Sequence, residues 1–181
     1  MFLEWLAFYV VPATSAFLVA RRLPVLTRRI TVLHIGVLVS VAAMTLAGVR
    51  LESGMSILSI VCVVLSAACA VSFLGTFGIF YTFSAVVQEA CLLLAGVLSI
   101  SAFGLVPGIL ATTTVFALMH LVNLSNWKWK LLFTFLWGIM TLLVYLWLHQ
   151  VFVNVGLHII LGAVFMHTRI FFPNRPTTWQ I

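Results

Sequence analysis

Hydrophobic stretches of about twenty residues, separated by short polar or basic segments, run along almost the whole chain. A membrane-spanning helix needs roughly 20 mostly apolar residues to cross about 30 Å of hydrocarbon. On that measure the sequence predicts seven spanning helices. Their approximate bounds are 3–20, 31–49, 55–74, 78–100, 103–124, 131–148 and 150–167. We therefore predict an all-α, polytopic transmembrane bundle that forms a single domain over residues 1–181.

Polar or helix-breaking residues lie at each boundary between these stretches. Gly75 is one of two glycines that divide a run too long for one helix, and Pro107 lies at the next break. The final junction, at 149–150, has only two polar residues. The other breaks are the four arginines around Pro24 and the segments 50–54 and 126–130.

The basic residues favour one orientation of the bundle. Cytoplasmic loops of membrane proteins carry an excess of Lys and Arg. With the N-terminus outside, Arg50 alone falls on the outer side, and the cytoplasmic side receives Arg21, Arg22, Arg28, Arg29, Lys128, Lys130, Arg169 and Arg175. We therefore expect a retained first span, an outer N-terminus, and a cytoplasmic C-terminus with a short tail over 169–181.

The composition excludes an ordinary soluble domain, since 64% of the residues are hydrophobic and only 7% are charged. The net charge of +6 comes from short basic clusters between apolar runs, so we interpret it as a topology signal and expect no nucleic-acid partner. Lys128 and Lys130 alternate with tryptophans, which is typical of an anchor at the membrane interface. The 3 cysteines lie inside apolar segments without the spacing of a disulfide framework or a zinc site.

Three of the apolar stretches carry an ionisable or amide side chain near the middle. The chain has 3 acids, of which Glu89 is the one with apolar sequence on both sides. A charge at the centre of a membrane helix costs on the order of 2.5–3.5 kcal/mol, so such groups need partners. Gln88 and Glu89 in the fourth stretch, His120 in the fifth, and Asn154 with His158 in the seventh could supply one another in one cavity. Small residues at Ala85, Ala117, Gly156 and Gly162 would let the helices approach closely.

These residues resemble the motifs of a known family. FALMH at 116–120 fits a Phe-x-x-x-His motif letter for letter, and Gln88-Glu89 stands 31 to 32 residues before His120, where a double-Glu motif would stand. His158 follows at a gap similar to that before a His-x-x-x-Asn motif. Over roughly residues 80–165 the chain resembles the CPBP family of intramembrane glutamic proteases, which includes prenyl-protein processing endopeptidases. It departs from the family at three points: one of the two acids, the Arg of the first motif, and the Asn of the third, where Gly162 stands.

The resemblance implies a glutamic endopeptidase acting on a membrane-associated peptide or protein in a bacterial or archaeal cell membrane. Glu89 would take a proton from water held against His120, and His158 would polarise the scissile carbonyl or stabilise the oxyanion. Asn154 would stand in for the missing amide, with Gln88 and Phe116 in supporting positions. One Glu with two His could also bind zinc, but the resemblance points to no metal and no cofactor.

Two further functions stay open at this stage. The missing motif residues favour a catalytically silent relative that serves as an immunity, chaperone-like or regulatory membrane partner. A membrane protein in which His120 and His158 bind haem, or in which Glu89 relays protons, is the other alternative. We interpret His34, His149 and His167 as structural, each satisfied by a backbone carbonyl or a serine.

Overall fold

The computed structural model describes residues 1–52, 54, 56–122 and 126–168. In this part of the chain there are seven helices and no strands. They are α1 (Phe2–Arg22), α2 (Leu26–Leu46), α3 (Ile57–Leu74), α4 (Phe77–Phe103), α5 (Leu105–Val122), α6 (Trp127–Leu148) and α7 (Val151–His167). The tail over 169–181, with Arg169 and Arg175, lies outside the described residues.

Six of these helices are long and apolar enough to cross a membrane, and α7 is a shorter apolar helix of 17 residues. A helix of that length is at the lower end of the range that spans a bilayer. The prediction of an all-α bundle with membrane-spanning helices is confirmed, and the chain is an integral membrane protein.

The helix boundaries follow the predicted breaks closely. Gly75 (φ 63°) and Gly104 (φ 87°) adopt backbone conformations that favour glycine, and they end α3 and α4. His149 (φ 51°) separates α6 from α7. The helices α2 and α6 begin four to five residues earlier than predicted, at Leu26 and Trp127. Their first turns include basic residues, whose long side chains can keep the charge near the surface while the stem packs on apolar groups.

The helix α4 forms the centre of the bundle and packs against each of the other six. In its most apolar 18-residue window 67% of the residues are buried, against 39% in α5, the next most buried of the long helices. Neighbouring helices pack closely against both ends of α4. Near its start, Gly78 of α4 lies against the backbone of α3 at Ala70, and near its end Ile100 of α4 lies against Gly108 of α5. The second half of α4 is therefore buried almost all round, while Ile79, Phe83 and Val86 form an exposed stripe on its first half.

The helices α3 and α7 pack closely along their lengths. Gly156 makes this possible, because a Cβ at that position would lie 2.7 Å from the Sγ of Cys62. An apolar cluster that includes Ala70, Val155 and Ile159 fills the contact. This packing brings the second half of α7, with His158, against α4.

Candidate functional site

A cavity of about 540 Å³ lies among six of the seven helices, with α3 excluded. The helix α1 contributes Tyr9, and the other lining residues lie in or close to the first halves of α2, α4 and α6, at the end of α5, and from the middle of α7 onward. Because successive helices run in opposite directions, these parts share one side of the bundle. This is also the side of Arg21, Arg28 and Lys128, which the sequence predicts to be cytoplasmic.

Glu89 and His158 form a buried pair in the wall of this cavity. The Glu89 Oε2 and the His158 Nδ1 are 2.7 Å apart, and the Glu89 side chain is 0% exposed. His158 lines the cavity and packs edge-on against Trp137, with ring centroids 5.7 Å apart. Glu89 is not among the lining residues and lies behind the imidazole. If the His158 Nδ1–H donates to an ionised Glu89, the Nε2 remains for molecules in the cavity.

The surroundings of Glu89 make this pair energetically important. The second carboxylate oxygen, Oε1, is buried and has no hydrogen-bond partner among the described residues. Removing the hydrogen-bond partner of a buried polar group typically costs about 1–3 kcal/mol, and more for a charged group, because the group is left unsatisfied. His158 is thus the hydrogen-bond partner that stabilises the buried carboxylate of Glu89.

His120 lies on the same cavity at the end of α5. Its Nδ1–H donates to the carbonyl oxygen of Phe116 at 2.9 Å, and the two rings pack edge-on with centroids 4.7 Å apart. The Phe-x-x-x-His spacing therefore fixes the orientation of the imidazole, since residues four apart share a helix face. The resemblance implies a water held between Glu89 and His120; the hydrogen bond that the structure shows for Glu89 is with His158.

Asn154 shares a helix face with His158 but does not line the cavity. Its Nδ2–H donates to the carbonyl oxygen of Thr141 at 2.8 Å and so connects α7 to α6. Its Oδ1 is buried without a hydrogen-bond partner in the described part of the chain. The amide is therefore placed to hold two helices together and not to contact a substrate in the cavity.

Gln88 lies next to Glu89 in sequence but belongs to a second polar cluster on the opposite wall. Its Nε2–H donates to the Ser84 Oγ at 2.8 Å, and the Ser84 hydroxyl donates to the His34 Nε2. The His34 Nδ1–H donates to the carbonyl oxygen of Ile30 at 2.8 Å. His34 thus has the carbonyl and serine partners expected from the sequence, and the cluster ties α2 to α4.

Tyr81 is a residue of the site that the sequence interpretation missed. Its hydroxyl donates to the carbonyl oxygen of His158 at 3.2 Å, and a Cβ at Gly162 would overlap this hydroxyl. The Tyr81 side chain therefore occupies the space beside Gly162, the position where the family motif has Asn. Helical spacing could have indicated it, since Tyr81, Ala85 and Glu89 are four residues apart and share one face.

The prediction that Lys128 and Lys130 both lie at the membrane interface is wrong for Lys130. Lys128 is exposed as expected, but Lys130 is 3% exposed and lines the cavity. Residues two apart on a helix point in nearly opposite directions, so one lysine faces outward while the other faces the bundle. Thr134 and Trp137 share the face of Lys130 and also line the cavity, a spacing that could have identified this lysine from the sequence.

The zinc arrangement considered for Glu89, His120 and His158 is not formed. Residues 1–52, 54, 56–122 and 126–168 contain no group of three or more His, Cys, Asp or Glu side chains that could hold a metal ion. The cysteines at 62, 69 and 91 are free thiols.

No protein-family model, no curated protein and no solved structure matches this chain.

Proposed function

We propose that this protein is an intramembrane hydrolase of the CPBP type, which cleaves a peptide bond of a membrane-associated peptide or protein in a bacterial or archaeal cell membrane. The observation that best supports the proposal is the buried Glu89–His158 pair in the wall of a cavity that His120 also lines. A carboxylate that holds one imidazole, with a second imidazole on the same cavity, is a usable set of groups for general acid–base catalysis.

His158 acts as the general base in this mechanism. Its Nε2 takes a proton from a water molecule as the water oxygen attacks the carbonyl carbon of the substrate. Glu89 holds the ring by its Nδ1 and stabilises the imidazolium that forms, as the buried carboxylate does in a catalytic triad. Glu89 therefore acts through His158, whereas the sequence motif had suggested direct contact with water.

His120 holds the water in position for this attack. With Nδ1 bonded to the Phe116 carbonyl, its Nε2 is the nitrogen that remains for the cavity. This nitrogen accepts a hydrogen bond from the attacking water, and the His158 imidazolium gives its proton to the leaving nitrogen as the carbon–nitrogen bond of the tetrahedral intermediate breaks. The products are a carboxylic acid and an amine, and the proton that His158 takes from water is the one that it gives to the leaving nitrogen.

The test is cleavage of membrane-anchored peptides by purified protein in proteoliposomes containing H₂¹⁸O. Hydrolysis places ¹⁸O in the new C-terminal carboxylate, which mass spectrometry detects. We expect Glu89→Gln, His120→Ala and His158→Ala to lower the rate by about 10²–10⁴-fold, the usual contribution of acid–base groups. His149→Ala is the matched control, since this histidine is exposed and outside the cavity. Equal rates in Glu89→Gln and the native protein would contradict the proposal.

A catalytically silent relative is the second candidate, and one specific observation favours it. Glu89 is fully buried and does not line the cavity, so it does not meet a substrate directly. A silent relative would bind its membrane partner without cleaving it. In that case Glu89→Gln would retain the partner as well as the native protein does, and neither would release a product containing ¹⁸O.

A further inference from the structure

Among the described residues, the side chains that line the cavity include a lysine and three histidines but no carboxylate. The polar lining includes the amine of Lys130, the imidazoles of His34, His120 and His158, and the amide of Gln88. All 3 acidic side chains of the chain lie in its described part, and none of them lines the cavity. Glu4 and Glu52 are exposed at the surface, and Glu89 lies behind His158. The polar surface therefore suits an anionic group.

The rest of the lining is apolar and largely aromatic. Phe77, Phe80, Phe133 and Phe165 lie around the cavity, and Phe133 and Phe165 pack against each other with ring centroids 5.4 Å apart. The volume of about 540 Å³ falls within the range of sites that bind small molecules. A ligand that fits this lining has an apolar body in addition to its charged group.

We propose that the cavity binds a single-chain anionic amphiphile, with its carboxylate or phosphate head at Lys130 and His120 and its hydrocarbon chain against the phenylalanines. A buried cation gives a charge-assisted hydrogen bond to such a head, which is stronger than a bond between neutral groups. Imidazoles and the Gln88 amide add donors for further head-group oxygens.

The location of the cavity is consistent with entry of such a ligand from the membrane. The helix α2 packs against α1 and α4, while α6 packs against α5, and the cavity lies between the first halves of α2 and α6. Lys130 lies in the first turn of α6, close to the end of the bundle where the basic residues cluster. An amphiphile in the adjacent leaflet would bring its head to this level and its chain toward the apolar part of the cavity.

This site does not depend on the proposed hydrolysis, since binding needs neither Glu89 nor a reactive water. The experiment uses palmitic acid carrying a photoreactive diazirine on its chain, added to the full-length protein in neutral detergent. After irradiation, peptide mapping locates the label. Competitors are oleate, oleyl phosphate, oleyl alcohol and inorganic phosphate. Lys130→Met removes the charge, Lys130→Arg keeps it, and Lys128→Met is the matched control on the exposed face.

We expect label on cavity residues of α4, α6 or α7, displaced by oleate and oleyl phosphate but not by oleyl alcohol or inorganic phosphate. Lys130→Met should reduce labelling about tenfold, the effect of losing one charge-assisted bond, while Lys130→Arg and Lys128→Met label like the native protein. Equal labelling in Lys130→Met, equal competition by oleyl alcohol, or label confined to the outer surface would overturn the proposal. Displacement by inorganic phosphate alone would assign the site to a free anion and would overturn the amphiphile.

Discussion

Gln88 and Glu89 are adjacent in α4 but contact different helices. The backbone turns by about 100° per residue in a helix, so Glu89 contacts α7 while Gln88 contacts Ser84 and α2. The sequence predicted that Glu89 would need a partner, because an acid is expensive in an apolar segment. It did not determine whether His120 or His158 would be that partner, since the choice depends on how α5 and α7 are rotated about their axes.

At the same scale, the contact between Tyr81 and Gly162 predicts a measurable coupling. Gly162→Ala should lower the free energy of unfolding by about 1–3 kcal/mol, since the new Cβ overlaps the Tyr81 hydroxyl and overpacking has this effect. In a Tyr81→Leu background the same change should cost little. Unfolding in mixed micelles, measured for the four proteins of a double-mutant cycle, gives the coupling energy. Additive effects would show that the two side chains do not compete for the same space.

At the scale of helices, most boundaries could be predicted because their signals are local. Glycine at 75 and 104 adopts the positive φ that its place at a helix end suggests. The early starts of α2 and α6 were missed, because counting apolar residues treats Arg and Lys as loop residues even where their stems pack within a helix. The central position of α4 was also missed, since all seven stretches are similarly hydrophobic and burial depends on contacts between helices.

The cluster of Gln88, Ser84 and His34 predicts how firmly α2 is held. Ser84→Ala removes a buried hydroxyl that bonds to His34, so the backbone amides of α2 near His34 should exchange with deuterium about fivefold faster. Hydrogen exchange with mass spectrometry measures this. Ser72→Ala is the matched control, because the exposed Ser72 hydroxyl donates to Ala68 within its own helix. Unchanged exchange in Ser84→Ala would show that apolar packing alone holds α2.

At the scale of the whole molecule, the cavity lies at the same end of the bundle as most of the basic residues that the structure describes, with Arg50 at the other end. The sequence predicted a polar convergence among the fourth, fifth and seventh spans, and the structure brings His120 and His158 to one cavity. It did not predict that α2 and α6 would contribute His34 and Lys130 to the lining. The sequence indicated a structural histidine and a membrane anchor at these two positions, because their neighbours in space come from distant parts of the sequence.

The orientation of the bundle is a prediction at this scale. In a protein without its native cysteines, Arg50→Cys should react with a membrane-impermeant maleimide added to intact cells, since this loop is predicted to lie outside. Lys128→Cys should react only after the membrane is permeabilised. Gel-shift labelling measures both. The reverse pattern would place the cavity toward the outer side of the membrane.

The burial of Glu89 behind the His158 imidazole determines the route by which protons can be transferred to it. Bulk water does not contact this carboxylate, since its side chain is 0% exposed and His158 lies between it and the cavity. Protons would reach or leave Glu89 by relay across the ring, entering at one nitrogen and leaving from the other. The imidazole would then control the exchange of protons between an acid buried in the bilayer and the water beside the membrane.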